Sequence, residues 1–136
     1  MADKETLLAY DGYIFDLDGT VYLSNRMLAN ADQVIRHLRQ MGKKTLFLSN
    51  KPIESRAAYA DKLNRMGIPA AIDNIVNSSL VTAICISKEK PGATVYVVGE
   101  QPLIAELEAA GLRVTADPME AEFLVVAFDR TFHYNK

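Results

Sequence analysis

The sequence predicts an α/β protein built on a mostly parallel sheet. Five apolar runs of β-type residues alternate with segments in which apolar residues recur at helical spacing. Glycines stand where several of the helical segments stop. Continuous apolar strands that alternate with amphipathic helices are typical of parallel sheets, because parallel neighbours need a crossover connection and the helices cover the sheet.

The first of these strands is predicted over residues 13–17 and the second over 44–48. Between them, Asn30 is expected to cap a helix, with Gln33 three positions on as its capping-box partner, and Gly42 stands where that helix would stop. Helical spacing predicts that one apolar stripe of this helix is buried, consisting of Val34, Ile35, Leu38 and Met41.

A second helix is predicted over residues 53–66, before Gly67. Its inward side is expected to hold Ala58, Tyr59, the stem of Lys62, Leu63 and Met66. Residues 72–76 are a candidate short strand, after which Ser78 or Ser79 can cap a third helix. The inward residues of that helix are expected to be Leu80, Ala83, Ile84 and Cys85.

The β-α pattern restarts after the break at residues 88–92. Strands are predicted over 94–98 and 122–128. Pro102 is expected to open the helix between them, with Glu100 as its cap. The inward residues of this helix are Leu103, Ile104 and Leu107, and Gly111 follows it.

Bulk composition excludes several classes of protein. The chain has 136 residues, 49% hydrophobic and 24% charged, which is ordinary for a globular domain with its own core. A net charge of -2 argues against a nucleic-acid binder that neutralises phosphates. No apolar run approaches the roughly 20 residues that span a bilayer, and the polar N-terminus does not resemble a secretory signal. The single cysteine favours a reducing, cytoplasmic location.

Two carboxylates, Asp16 and Asp18, follow the first predicted strand at once. Like charges at such a place repel each other and are poorly solvated, so a compensating group is expected. A divalent cation would compensate them, and hard oxygen ligands suit Mg²⁺, which takes one or two carboxylates plus water and a substrate phosphate. Gly19 allows close backbone approach to a ligand, and Thr20 offers a hydroxyl.

Three other interpretations share some features of this stretch. An EF-hand loop requires Gly at position six and Glu at position twelve, whereas here Gly is fourth and Met27 is twelfth. An acidic turn is common for an Asp-Gly pair taken alone. A receiver-type phosphoacceptor also uses an aspartate at a strand end, but it lacks the continuation that follows Asp16 here.

The second strand end adds support for a ligand site. The apolar run 44–48 leads into Ser49 and Asn50, one β-α-β unit after the aspartates. That spacing makes adjacent parallel strands, whose carboxyl ends meet at one edge of the sheet. A hydroxyl and an amide N–H at that edge can hold phosphate oxygens, although Ser-Asn alone is common loop chemistry.

These residues resemble a known family. FDLDGTVY followed by LFLSNKP is similar to the haloacid dehalogenase-like superfamily of phosphatases, in its subfamily of NagD-type, 4-nitrophenylphosphatase-type and AraL-type enzymes. Further resemblance lies in RQMGKKTLFLSNK, VVGEQPLIAELEAAGLRV and VVAFDRTFHY, and it covers nearly the whole chain from residue 10. The resemblance implies a Rossmann-like sheet with helices on both faces, followed by the start of an inserted α/β cap domain.

The family's functional residues can be carried over by position. Asp16 resembles the nucleophile that forms an aspartyl-phosphate, and Asp18 the general acid and base. The resemblance implies that Mg²⁺ is held by Asp16 and by Asp18 through its backbone carbonyl. It also implies that the phosphoryl group is bound by Gly19, Thr20, Ser49 and Asn50.

Departures from the family pattern matter as well. Lys51 stands where many relatives carry a second Asn, and it is expected to be exposed. The family's third-motif lysine and fourth-motif acidic ligands are not located, and neither Asp117 nor Asp129 has the context of the latter. We therefore expect an N-terminal portion of a family member, with core domain over residues 1–78 and cap domain over 79–136.

The resulting hypothesis is a Mg²⁺-dependent phosphatase that acts on a small phosphorylated metabolite, with no nucleic-acid or membrane partner. The alternative is a complete but non-catalytic binding or structural relative. This stretch alone is expected to be inactive, and its unpaired sheet edge favours poor solubility or a homo-oligomer. Two minor expectations are that Cys85 is buried as a small apolar residue and that Tyr22 lines the pocket mouth.

Overall fold

The computed structural model describes residues 8–133 of the chain. Their contacts divide them into two compact units, each described separately below. Unit 1 comprises residues 8–49 and 59–76, and unit 2 comprises residues 50–58 and 77–133. Among the described residues, none of the helices has the length and apolar character that a membrane span requires.

Apart from the short strands β2 and β3, the first strands and helices lie close to where the sequence predicts them. In chain order they are β1 (Gly12–Asp16), β2 (Tyr22–Leu23), β3 (Arg26–Met27), α1 (Ala31–Gln40), β4 (Lys44–Ser49), α2 (Arg56–Arg65), a 3₁₀ turn (Ile72–Asn74) and β5 (Ile75–Asn77). The remaining elements are α3 (Ser78–Glu89), β6 (Thr94–Val98), α4 (Gln101–Ala109), β7 (Arg113–Thr115), a 3₁₀ turn (Pro118–Glu120) and β8 (Phe123–Val126).

The main sheet of unit 1 has the order β1-β4-β5, and β1 and β4 are parallel. Asp16, the last residue of β1, pairs with Leu48, so the two strands finish at the same edge of the sheet. Strand β4 alternates strictly, with Thr45, Phe47 and Ser49 buried and the residues between them exposed. The predicted neighbouring strands are therefore confirmed.

One face of this sheet carries the core of unit 1. Phe47 lies at its centre with side chains from α1 and α2, since Ile35 and Leu63 belong to the same buried cluster. The full cluster consists of Leu17, Val21, Tyr22, Ile35, Phe47, Tyr59, Ala60, Leu63, Ile68 and Ile75. On the opposite face, three aliphatic side chains are exposed, namely Ile14, Leu46 and Leu48.

Unit 2 contains a second parallel sheet, in the order β7-β6-β8. The central strand β6 buries Val95 completely, and α3 and α4 contribute apolar residues to the same core. That core consists of Ala83, Ile86, Ala93, Val95, Leu103, Leu107 and Leu112. Both units thus contain parallel strands, and helices lie between successive strands along the chain. This arrangement confirms the α/β fold class that the sequence predicts.

Helix starts differ from the predictions. Asn30 lies at the start of α1, but its backbone is left-handed at φ 66° and its side chain makes no capping hydrogen bond. Asparagine tolerates this conformation, which turns its side chain away from the capping position. The prediction that Ser78 or Ser79 caps α3 is also wrong. Asn77 is the cap, and its side-chain oxygen accepts a hydrogen bond from the Leu80 N–H at 3.0 Å.

Residues 72–76 form a strand only in part, because the segment begins as a 3₁₀ turn. The Asn74 side-chain oxygen accepts from the Ala71 N–H at 3.0 Å, a local bond that competes with strand pairing. Strand β7 was not predicted, since its three residues include Arg113 and Thr115 and form no apolar run. The short hairpin of β2 and β3 was missed for the same reason.

The buried stripe of α3 also differs from the prediction. It consists of Ser79, Ala83 and Ile86, which recur at helical spacing. Cys85 and Ile84 lie off this stripe and are exposed, so the prediction that they are buried is wrong. On α1, Ile35 and Leu38 are buried as predicted, but two other predicted core residues are exposed, namely Val34 and Met41.

Candidate active site

The turn that follows β1 is organised around Leu17, which has no exposed surface. Its N–H donates to the Leu48 carbonyl at 3.1 Å, and its own carbonyl accepts from the N–H groups of Thr20, Val21 and Tyr22 at 3.3, 2.9 and 3.2 Å. This buried residue holds the turn against the end of β4. The two residues that flank it, Asp16 and Asp18, are exposed.

Gly19 gives the turn its sharp reversal. Its φ is +91°, a backbone conformation that residues with a Cβ rarely adopt, and its N–H donates to the Tyr22 carbonyl at 2.7 Å. The Thr20 hydroxyl donates to a carboxylate oxygen of Asp16 at 3.4 Å. In this structure Thr20 therefore orients Asp16, and its predicted contact with phosphate stays a prediction.

Ser49 ends β4 one residue beyond the partner of Asp16. Its side chain is 5% exposed, and its hydroxyl donates to the phenol oxygen of Tyr59 at 3.2 Å. Strand alternation places Ser49 on the buried face of the sheet, whereas Asp16 and Leu48 are exposed. The two predicted site residues thus share a sheet edge, with Ser49 on its buried side.

Asn50 follows Ser49 and belongs to unit 2. It is exposed, and its carbonyl accepts a hydrogen bond from the Ser78 hydroxyl at 3.1 Å. Lys51 is exposed, as expected. The role of Asn50 in phosphate binding stays a prediction.

The donors at the end of β1 fit the requirements of Mg²⁺. Asp16 supplies one exposed carboxylate, and the family resemblance implies the backbone carbonyl of Asp18 as a second ligand; Mg²⁺ usually takes one or two carboxylates from protein while it keeps waters and a substrate oxygen. Within residues 8–133, no three His, Cys, Asp or Glu side chains are grouped so as to hold a metal ion. The donor set therefore suits an ion that is shared with substrate and water.

Two residues have surroundings that differ from the predictions. Tyr22 is 3% exposed and belongs to the core of unit 1, with the Lys62 ammonium 4.0 Å from the centre of its ring. It therefore does not line a pocket mouth. Glu100 makes no capping bond to α4, because Arg130 donates to it from both its backbone and its guanidinium. These bonds lower the pKa of the Glu100 carboxyl.

The two acidic residues that were not assigned to the metal have local roles. The Asp117 carboxylate accepts from the Met119 N–H at 2.9 Å and caps a 3₁₀ turn. The Asp129 carboxylate accepts from the N–H and the hydroxyl of Thr131 at 2.8 and 2.7 Å.

Sequence reasoning did miss Tyr59 as the partner of Ser49. It placed Tyr59 on the inward side of its helix, but nothing in the sequence indicated the hydroxyl contact.

The fold belongs to the α/β proteins whose ligands lie beyond the carboxyl ends of parallel strands. The family model described as haloacid dehalogenase-like hydrolase matches residues 13–113. The chain belongs to this family.

Similarity to individual proteins agrees with the family. The sugar-phosphatase AraL of Bacillus subtilis is 41% identical over 135 residues, which cover 99% of this chain and 50% of that protein. A p-nitrophenyl phosphatase structure from Archaeoglobus fulgidus superposes with a TM-score of 0.87 at 36% identity, over 92% of this chain and 48% of that one. The chain spans about half the length of the curated relatives it matches.

A third similar protein was crystallised with a metal. The glycerol phosphate phosphatase of Mycobacterium tuberculosis, in complex with magnesium, superposes with a TM-score of 0.84 at 27% identity. The superposition covers 93% of this chain and 38% of that one.

Proposed function

We propose that the protein is a Mg²⁺-dependent phosphatase that hydrolyses a small phosphomonoester through an aspartyl-phosphate intermediate. The observation that carries this proposal is the turn after β1, where buried Leu17 separates two exposed carboxylates at the carboxyl end of a parallel strand. Family membership and the similarity to a sugar phosphatase and a p-nitrophenyl phosphatase support the reaction type.

Asp16 is the proposed nucleophile. A carboxylate oxygen attacks phosphorus, a new P–O bond forms, and the bond between phosphorus and the ester oxygen breaks. Asp18 gives its proton to the departing ester oxygen, so that the product leaves as an alcohol. The hydrogen bond from Thr20 would fix the orientation of Asp16 before attack.

The second half of the reaction regenerates the enzyme. Asp18, now ionised, takes a proton from water as the water attacks phosphorus, and the bond between phosphorus and Asp16 breaks to release inorganic phosphate. Mg²⁺, when bound by the Asp16 carboxylate and the Asp18 backbone carbonyl, would offset the negative charge on the nucleophile and phosphoryl oxygens. Asp18 thus returns to its protonated form for the next cycle.

Gly19, Thr20, Ser49 and Asn50 are the proposed phosphate contacts. Because Ser49 and Tyr59 are both hydroxyls, the bond between them can reverse, with Tyr59 as donor. We also propose that residues 1–78 represent core domain and 79–136 cap domain. A division into two compact units supports two parts, although residues 50–58 and 77–78 fall in unit 2 and not in unit 1.

The test is phosphate release from 4-nitrophenyl phosphate by protein expressed from its complete open reading frame. We expect release that requires Mg²⁺, stops with EDTA and is abolished by Asp16→Asn. Asp11→Asn is the matched control, because Asp11 is an exposed aspartate just before β1. Turnover that survives Asp16→Asn would contradict the proposal, and phosphate binding without turnover would favour the non-catalytic alternative.

A further inference from the structure

The segment that follows Ser49 is held by unit 2. Residues 50–58 belong to unit 2, although Ser49 and Tyr59 on either side belong to unit 1. This short segment contains Asn50, one of the proposed phosphate contacts. Its attachment therefore bears on how a phosphate-binding residue is positioned.

Ser78 fixes the beginning of the segment. It is the first residue of α3, and its hydroxyl donates to the Asn50 carbonyl at 3.1 Å. A loop carbonyl that accepts a side-chain hydrogen bond has fewer accessible backbone conformations. The bond thus restrains the backbone of Asn50 itself.

Asn77 fixes the middle of the segment. Its side chain is almost fully buried, with 1% exposure. The side-chain oxygen caps α3 through the Leu80 N–H, and the amide nitrogen donates to the Glu54 carbonyl at 3.4 Å. One buried amide therefore joins the segment to the start of α3, in a geometry where both of its polar atoms are used.

An ion pair fixes the end of the segment. The Arg56 guanidinium lies 2.9 and 3.0 Å from the same carboxylate oxygen of Glu106 in α4. The two side chains are 23% and 13% exposed, so solvent screens the pair less than an ordinary surface pair. Three separate ties thus hold residues 50–56 to unit 2.

We propose that Asn77 and Ser78 are positioning residues for phosphate binding, because they hold the backbone of the segment that carries Asn50. This inference rests on the proposed function, in which Asn50 contacts the phosphoryl group. A segment ordered before ligand arrives does not have to be ordered by the ligand, which improves affinity. By linkage, phosphate bound at Asn50 would in turn strengthen the attachment of the segment to unit 2.

The experiment compares four substitutions. Ser78→Ala removes the donor to Asn50, and Ser78→Thr restores a hydroxyl at the same position. Ser87→Ala is the matched control, because Ser87 also lies on α3 and its hydroxyl also donates to a backbone carbonyl, that of Ala110 at 2.8 Å. Asn77→Ser provides a second test, since serine keeps an N-cap oxygen and removes the amide that donates to Glu54.

The first readout is amide hydrogen exchange, measured by mass spectrometry on peptides covering residues 50–56. Losing a hydrogen bond of ordinary strength should speed exchange there by about fivefold in Ser78→Ala. Ser78→Thr and Ser87→Ala should match the wild type in this segment. Equal exchange in Ser78→Ala and Ser87→Ala would overturn the proposal.

The second readout is affinity for inorganic phosphate, measured as product inhibition, together with KM and kcat. We expect the inhibition constant and KM to rise together by about fivefold in Ser78→Ala and Asn77→Ser, with kcat nearly unchanged. Faster exchange with unchanged phosphate affinity would also overturn the proposal. Failure of the proposed function itself looks different, because the wild type would then release no phosphate or Asp16→Asn would remain active.

Discussion

The Ser49 hydroxyl donates a hydrogen bond to the phenol oxygen of Tyr59 at 3.2 Å, inside the buried core of unit 1. Ser49 ends strand β4 and Tyr59 lies on helix α2, so the bond joins the end of a strand to the helix that follows it. A residue that was expected at the ligand site is thereby also a structural residue. Its substitution would change stability, which has to be measured separately from any effect on activity.

Tyr59→Phe should lower the free energy of unfolding by about 1 kcal/mol, because the buried Ser49 hydroxyl loses this partner. Urea denaturation of the wild type, Tyr59→Phe, Ser49→Ala and the double variant would measure it. The double variant should be less destabilised than the sum of the single variants, since one bond accounts for part of both losses. Strict additivity would contradict the importance of this bond.

Gly19→Ala should destabilise the protein by about 1–2 kcal/mol through backbone strain alone. The φ of +91° disfavours any residue with a Cβ, while the space around an added Cβ is open. Gly12→Ala is the control, because an added Cβ there would meet Lys44 at an ordinary contact distance of 3.6 Å. Thermal unfolding of both variants checks the prediction, which equal melting temperatures would refute.

The parts of the fold that could be predicted are those that local patterns determine. The apolar run 44–48 and its position one β-α-β unit after the first strand were sufficient to predict neighbouring parallel strands. The environment of Ser49 could not be predicted in the same way. Its burial follows from strand alternation, but its contact with Tyr59 depends on how α2 packs against the sheet.

The Arg56–Glu106 pair should have a coupling energy of about 1–2 kcal/mol, because charged hydrogen bonds with partial burial exceed the surface median. A double-mutant cycle with Arg56→Gln and Glu106→Gln measures it. The Arg36–Asp32 pair on α1 is the comparison, since its arginine is 61% exposed and it should contribute about 0.5 kcal/mol or less. If the coupling energy of Arg56–Glu106 is no larger than that of Arg36–Asp32, the Arg56–Glu106 pair contributes little to stability.

Acid should weaken unit 2 partly through Glu100. Hydrogen bonds from the Arg130 side chain, and then from its backbone, lower the pKa of the Glu100 carboxyl. A carboxyl with a lower pKa in the folded state than in the unfolded state stabilises the fold above its unfolded pKa of about 4.3. This stabilisation is lost as the pH falls below that value.

Thermal melts between pH 7 and pH 3 provide the measurement. Glu100→Gln should make the melting temperature less dependent on pH in the acidic range, because the group that gains a proton is gone. Glu108→Gln, which changes an exposed glutamate of α4, should leave the wild-type profile intact. Identical acid profiles for the wild type and Glu100→Gln would count against the role of the Arg130 contact.

Helix caps could not be predicted from the local sequence. Asn30 and Glu100 both stand directly before helices, yet neither side chain caps its helix. A left-handed backbone removes the first from position, and Arg130, thirty residues along the chain, engages the second. Local sequence identifies residues that are able to cap, whereas long-range partners and backbone geometry decide which of them do.

The assignment of residues 50–58 to unit 2 limits how the polypeptide can be shortened. The chain passes from one unit to the other after Ser49, after Ala58 and after Val76, so neither unit is a single stretch of sequence. A truncated chain that stops at Val76 would keep the segment but lose the side chains of Asn77, Ser78 and Glu106 that hold it. Excision of either unit for separate study would therefore require a permuted or spliced gene.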